Sequence, residues 1–172
     1  MKKYLLLFTA FILIASTSCQ KKVDIEKEKE AIMAVIQAES ETARDGDVDG
    51  LISCYIQDEY NTRLILQSDT GYIITGWEKL AQLFVMFKSN AELDYSNISV
   101  SKENAVIKVM GNTAWVICDN IWKGIYNQNE INSETYQITF LEKVDGEWKF
   151  SFVAWIAKPE PAAVTEEPEA TQ

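Results

Sequence analysis

The sequence contains no histidine, so acid–base chemistry in this chain falls to carboxylates, tyrosines, lysines and cysteines. This absence excludes serine–histidine and cysteine–histidine catalysis and the usual zinc ligand sets. The most unusual candidate is Asp119, which lies near the middle of the apolar stretch WVICDNIW at 115–122. A carboxylate buried there loses hydration, which raises its pKa and suits a general base that removes a proton beside a carbonyl group.

The neighbouring turns decide which face of a sheet Asp119 occupies. A loop centred on Gln128 and Asn129 pairs Asp119 with Ile138, and a three-residue VDG loop has Gly146 in the left-handed conformation. This register predicts that Asp119 points inward, on an apolar face that helices cover, although a slip of one residue would send it to the opposite face. The residues predicted to share its face are Trp115, Ile117, Ile121, Tyr136, Ile138, Phe140, Phe150 and Phe152.

Two roles for Asp119 remain open at this point. It is either a general base, or a structural or ligand-orienting group satisfied by Tyr55, Tyr60, Tyr136 or Arg63. The opposite face then carries an apolar band among polar residues, and burial of that band predicts a homodimer through the outer sheet face or partial cover by the tail. This band consists of Val116, Cys118, Trp122, Val153 and Trp155.

The elements that must position these residues divide into helices first and strands afterwards. Apolar residues at helical spacing predict a helix that begins near Ile25 and stops at RDGD, where Gly46 breaks it and Asp47 caps a second helix. TRLILQSDTGYIIT predicts two strands, and GWEKLAQLFVMFKS predicts a third helix. Four strand segments separated by GNT, NQNE and DG follow, so the pattern predicts an α+β fold with an antiparallel sheet curling over the helices.

The ends of the chain predict export and anchoring. Lys2, Lys3 and a short apolar run predict a signal peptide at 1–18, because the run is too short to span a membrane. STSC resembles the lipobox of bacterial lipoproteins, with Ser16 where leucine is usual, and this resemblance implies a lipid-modified Cys19 facing the periplasm or cell surface. An ordinary leader with an incidental Cys19 is the alternative. Residues 19–24 form the linker, and the acidic, proline-rich 158–172 predicts a disordered tail.

Composition and motifs limit the classes of partner and cofactor that we expect for this chain. The net charge of −10 repels phosphate backbones, so nucleic-acid binding is not expected. There is no glycine-rich phosphate loop and no metal-ligand spacing, so we expect no cofactor and no metal. Cys54 and Cys118 are interpreted as buried free thiols, and a disulfide between them in an exported chain is the alternative.

Several motifs in order resemble the nuclear transport factor 2-like, SnoaL-like domains. They are ARDGDVDGLISCYIQDE, TGWEKL, GNTAWV and KVDGEWKFSFVAW, and the match covers about residues 25–157. The resemblance implies a cone-shaped α+β roll, in which a curved antiparallel sheet packs on N-terminal helices around a pocket, and a homodimer. The family includes cyclases, isomerases and dehydratases as well as binding and assembly modules, so the fold alone does not give the function.

The leading hypothesis is a membrane-tethered domain that binds a small, partly apolar or aromatic molecule in its cone. Arg63 and Asp119 are the expected polar anchors. Glu39 is expected at the rim in water, and an acidic pair with Asp119 is the alternative. A carboxylate-dependent cyclase, isomerase or dehydratase with Asp119 as base is one alternative, and a scaffold that holds a partner protein is another. The predicted walls of the pocket are Tyr55, Tyr60, Trp77, Phe84, Trp115, Tyr136 and Phe152.

Overall fold

A computed structural model describes residues 23–67, 70–89, 97–126 and 128–159 of the chain. Cys19, the predicted signal peptide and the tail from residue 160 lie outside these residues. Three helices and six strands make up the described part. The helices are α1 (Ile25–Asp45), α2 (Val48–Ser53) and α3 (Trp77–Ser89). The strands are β1 (Thr62–Leu66), β2 (Gly71–Thr75), β3 (Ile98–Met110), β4 (Thr113–Tyr126), β5 (Asn129–Val144) and β6 (Glu147–Ala157).

The helix boundaries follow from local chemistry and confirm the predicted break. Asp24 caps the start of α1 by accepting a hydrogen bond from the backbone N–H of Lys27. Gly46 ends α1 with φ of +68°, a left-handed conformation that costs a residue without a Cβ little. Asp47 then caps α2 by accepting from the N–H of Gly50. One short turn therefore reverses the chain so that both helices pack on the same sheet.

The six strands form one curved, unclosed sheet in the order β2-β1-β6-β5-β4-β3. β1 pairs with β6 in parallel, and the other neighbouring strands are antiparallel. The predicted α+β architecture, with an antiparallel sheet packed on helices, is confirmed. β3 to β6 are long, so the sheet presents one face to the helices and an extended opposite face, which we call the outer face.

The helix-covered face of the sheet is the one predicted to be outside. Ile32 and Ile36 of α1 and Phe84 of α3 are fully buried in the main core. They pack with sheet residues that include Val116 and Cys118. Most of the band assigned above to dimerisation is thus core, namely Val116, Cys118, Val153 and Trp155. That prediction is wrong because the covered face also carries polar residues, which made it resemble a solvated surface.

The register of β4 with β5 differs from the prediction by two residues. Strand β4 ends at Tyr126 and β5 begins at Asn129, so these two residues pair with each other. Asp119 consequently pairs with Tyr136 and not with Ile138. A shift of two residues keeps each side chain on its own face, so Asp119 still shares a face with Ile138. The error that matters lies in which face the helices cover.

The β5–β6 hairpin contains a bulge that the sequence did not reveal. Its loop has two residues, Asp145 and Gly146, and both have positive φ, as a tight type I′ turn requires. The register then shifts between Phe140 and Leu141. Phe150 therefore lies in the core, whereas Phe152 faces Phe140 on the outer face, because the extra residue in the bulge inverts the alternation.

A polar clamp fastens the start of α1 to this hairpin. Both carboxylate oxygens of Glu28 accept hydrogen bonds of 2.7 Å from Lys143 Nζ, and Oε2 also accepts one from Trp148 Nε1 at 2.7 Å. Hydrogen bonds from Lys143 and Trp148 lower the pKa of Glu28. The clamp ties the first turn of α1 to the β5–β6 hairpin.

The two described cysteines, Cys54 and Cys118, are buried and unbonded, which confirms their interpretation as free thiols. None of the helices between residues 23 and 159 that the structure describes is long and apolar enough to cross a membrane.

Candidate functional site

The interior between α1 and the sheet holds a buried carboxylate. Glu39 of α1 is 1% exposed, so the expectation that it lies at the rim in water is wrong. Its Oε1 accepts a hydrogen bond of 2.7 Å from the Tyr55 hydroxyl and lies 3.5 Å from Arg63 Nη1. Its Oε2 accepts a bond of 3.1 Å from Ser40 Oγ. A carboxylate so far from water is held in place by these donors.

The positively charged guanidinium group of Arg63 lies among aromatic side chains. Its guanidinium carbon lies 4.3 Å from the ring centroid of Trp155 and 5.7 Å from that of Phe84. Its Nη1 also donates to the Tyr55 hydroxyl at 3.4 Å. The Tyr55 ring in turn lies 5.0 Å from Phe84. Burial, and then the charge of Glu39, raises the pKa of Tyr55, so its hydroxyl stays protonated and acts as a donor.

Lys102 brings a second cation to the same interior from β3. Its Nζ donates to Ser40 Oγ at 2.7 Å, to Asn120 Oδ1 at 2.6 Å and to Gln137 Oε1 at 2.7 Å. Gln137 is fully buried and passes the network on to Thr139. Burial lowers the pKa of Lys102 to about 8, with Arg63 contributing in the same direction and Glu39 opposing it.

These residues form one connected unit, which we call the interior charge cluster: Glu39, Ser40, Tyr55, Arg63, Lys102, Asn120 and Gln137. Among them one carboxylate faces two cations, so the cluster carries an excess positive charge when Lys102 is protonated. Charged groups out of water are costly unless they are hydrogen-bonded and paired. The excess positive charge therefore favours either the neutral form of Lys102 or the binding of a negatively polarised group near the two cations.

Asp119 lies on the outer face, so its predicted inward orientation is wrong. Its Oδ2 accepts a hydrogen bond of 2.7 Å from Asn104 Nδ2, and its Oδ1 forms an ion pair of 2.8 Å with Lys158 Nζ. Lys158 also pairs with Glu134. Hydrogen bonds from Lys158 and Asn104 lower the pKa of Asp119, opposite to the change a general base for this chemistry needs. The partners proposed for it from sequence, Tyr55 and Arg63, belong to the other face.

The structure divides the predicted site residues between the interior, the exposed surface and the outer face. Tyr55, Arg63 and Phe84 lie together in the interior, and the half-buried Trp77 meets Phe84 edge-on at 6.3 Å between ring centroids. Tyr60 is 74% exposed and contributes nothing to the interior. The remaining predicted walls, Trp115, Tyr136 and Phe152, are on the outer face with Asp119.

Sequence reasoning missed Ser40, Lys102, Asn120 and Gln137 as site residues. A bulge in β3 after Glu103 shifts the strand by one residue, and Asn104 takes a φ of +52° there. Lys102 therefore faces inward, although the residues beyond the bulge follow the opposite alternation. The sequence did contain one signal for this site. The amide side chains of Asn120 and Gln137 interrupt the apolar alternation of two neighbouring strands, which indicates a polar group inside.

No family model matches the chain, and no curated protein matches it in sequence. Solved structures do match its fold. An NTF2-like protein with a cystatin-like fold from Novosphingobium aromaticivorans is 14% identical, with a TM-score of 0.64 over 86% of this chain and 93% of that one. A Streptomyces avermitilis protein, provisionally named a dehydratase of the NTF2-like family, is 13% identical, with a TM-score of 0.63 over 78% and 98%.

A third similar structure, from Shewanella frigidimarina, is provisionally named a ketosteroid isomerase. It is 16% identical, with a TM-score of 0.54 over 73% of this chain and 94% of that one. Likeness at such low identity defines the fold alone. The chain therefore has the nuclear transport factor 2-like fold, as the motif order in the sequence predicted.

Replacing Glu39 by Gln tests whether the interior charge cluster is a paired unit. The change leaves the buried Arg63 guanidinium without its paired anion, so we expect the free energy of unfolding at pH 7 to fall by roughly 3–5 kcal/mol. Denaturant unfolding followed by tryptophan fluorescence measures it. The matched control is Glu30→Gln, an exposed change on the same helix. Equal stabilities of the two variants would contradict the pairing.

Proposed function

We propose that the chain is an exported, membrane-tethered domain that binds a small, partly apolar molecule between α1 and the concave side of its sheet. The supporting observation is the position of Arg63, whose guanidinium lies over the rings of Trp155 and Phe84 and beside the Glu39 carboxylate. A few placed polar groups among aromatic walls are typical of small-molecule sites. The excess positive charge favours a ligand with a carboxylate or a polarised carbonyl oxygen.

An enzyme of the dehydratase or isomerase kind is the alternative suggested by the provisional names of two similar structures. With Asp119 as its base this alternative has lost its support, since that carboxylate is paired with Lys158 on the outer face. Glu39 is not a free base toward a ligand either, because its two oxygens accept hydrogen bonds from the hydroxyl groups of Ser40 and Tyr55. Ligand binding therefore describes the interior better than proton abstraction by a carboxylate.

The outer face supports the proposal of a homodimer. Ile117, Tyr136 and Phe140 are 41%, 40% and 47% exposed there, which is a large apolar area for the centre of a sheet. A net charge of −10 opposes self-association, but Asp119 on this face is neutralised by Lys158. A second copy offers the same apolar face, so a twofold interface is self-complementary. The same surface would serve the scaffold alternative if another protein occupied it.

Ligand binding is tested by thermal unfolding against a library of small amphipathic carboxylates and ketones. A ligand that binds only the folded state raises the unfolding temperature. We expect wild-type protein to respond and Arg63→Gln to lose at least about tenfold in affinity, since a buried charged hydrogen bond is removed. Asp119→Asn, on the outer face, is the control and keeps the response. The proposal is refuted if no compound in the library raises the unfolding temperature and if protein purified from its native source releases no bound small molecule.

The dimer is tested by sedimentation equilibrium of wild type, Phe140→Asp and the control Tyr60→Asp. Tyr60 is exposed but lies outside the outer face, so an added charge there leaves association unchanged. A carboxylate at Phe140 is expected to weaken association by two orders of magnitude or more, because it would lie unpaired in an apolar interface. A wild-type monomer at all concentrations, or equal association of both variants, argues against this interface.

Tethering is tested by metabolic labelling with radioactive palmitate in a bacterial host. Wild type is expected to take up label and to sediment with membranes, whereas Cys19→Ala loses the label and remains soluble after cell breakage. Cys54→Ala, a change at a buried thiol, is the control and keeps the label. An unlabelled wild-type protein, or a labelled Cys19→Ala variant, would rule out the anchor.

A further inference from the structure

Lys102 differs from the lysines whose ammonium groups are paired with carboxylates. Its Nζ has three hydrogen-bond acceptors, all neutral: Ser40 Oγ, Asn120 Oδ1 and Gln137 Oε1. Between residues 23 and 159, as far as they are described, no ion pair includes it. An ammonium held only by neutral oxygens gains less from its charge than one beside a carboxylate.

The surrounding groups favour release of a proton from Lys102. Burial and the Arg63 cation from β1 lower its pKa to about 8, against the opposing effects of Glu39 from α1 and Cys118 from β4. At pH 7 about a tenth of the side chain is then a free amine, a far larger fraction than for an ordinary lysine. Desolvated lysines near a second cation are the ones that proteins use as nucleophiles.

A path for that proton is present in the interior charge cluster. Ser40 Oγ accepts from Lys102 Nζ at 2.7 Å and donates to Glu39 Oε2 at 3.1 Å. The hydroxyl therefore links the amine to the carboxylate through two consecutive hydrogen bonds. Tyr55 and Arg63 hold the far side of that carboxylate, so it keeps its orientation while it accepts a proton.

We propose that Lys102 is a nucleophilic amine that forms an imine with an aldehyde or ketone bound inside the cone. This inference rests on the proposed function, because a small molecule must enter the interior. The Nζ lone pair forms a bond to the carbonyl carbon while the carbonyl π bond breaks. The oxygen then takes the proton that Nζ releases through Ser40 and Glu39. Loss of that hydroxyl group together with the second Nζ proton, as one water molecule, leaves the C=N bond, and nothing is oxidised or reduced.

The experiment uses propanal as the probe and sodium cyanoborohydride to reduce any imine to a stable propylamine. Folded wild-type protein is treated briefly at a series of pH values, and peptides are analysed by mass spectrometry. Lys108 and Lys123, exposed on β3 and β4, are the internal controls. We expect Lys102 to be labelled about tenfold faster than either, with a rate that levels off above about pH 8.

Lys102→Arg, which retains the charge and the donors but forms no imine, is expected to lose the fast labelling and keep the slow labelling of the controls. If Lys102 of the folded wild type is labelled no faster than Lys108 and Lys123, the inference is wrong whether or not the variant folds. Compounds without a carbonyl group test ligand binding separately. Their binding without fast propanal labelling would overturn the imine and leave the proposed function standing.

Discussion

The Glu39 carboxylate is the constraint on which the interior of this protein depends. It lies between Arg63 and Tyr55 on one side and Ser40, which bonds Lys102, on the other. An apolar core of the same volume is often as stable as a buried ion pair or more so. Removing one member of the charged cluster therefore lowers the stability of the fold, because its partners are left buried and unpaired.

The two faces of the sheet handle charge in different ways. On the outer face, Lys158 pairs with two carboxylates, Asp119 and Glu134, and the pKa of Asp119 falls. On the covered face, no ion pair among the residues that the structure describes includes Lys102, and burial lowers its pKa instead. The outer pair is a structural contact that ties the chain after β6 to β4. The buried amine of Lys102, with its pKa lowered to about 8, changes its protonation close to neutral pH.

Local signals in the sequence predicted the elements, and the order of motifs predicted the fold, but neither predicted which face is covered. Gly46 and Asp47 end one helix and begin the next as expected. The error at Asp119 arose because the inward side was chosen by apolar content. The covered face carries the buried polar residues Gln137 and Thr139. Gln137 accepts a hydrogen bond from Lys102, 35 residues away in sequence, so its burial could not be read locally. Bulges in β3 and β6 add a further inversion that alternation cannot detect.

The most direct test of this account is an NMR titration of the protein with ¹³C at the lysine ε position, with the Lys102 resonance assigned from the Lys102→Arg variant. If Lys102 lies desolvated in the interior charge cluster, its resonance titrates with a midpoint near 8. A midpoint at the ordinary lysine value of 10.5 would mean that the side chain is in water, which would contradict the account of the interior.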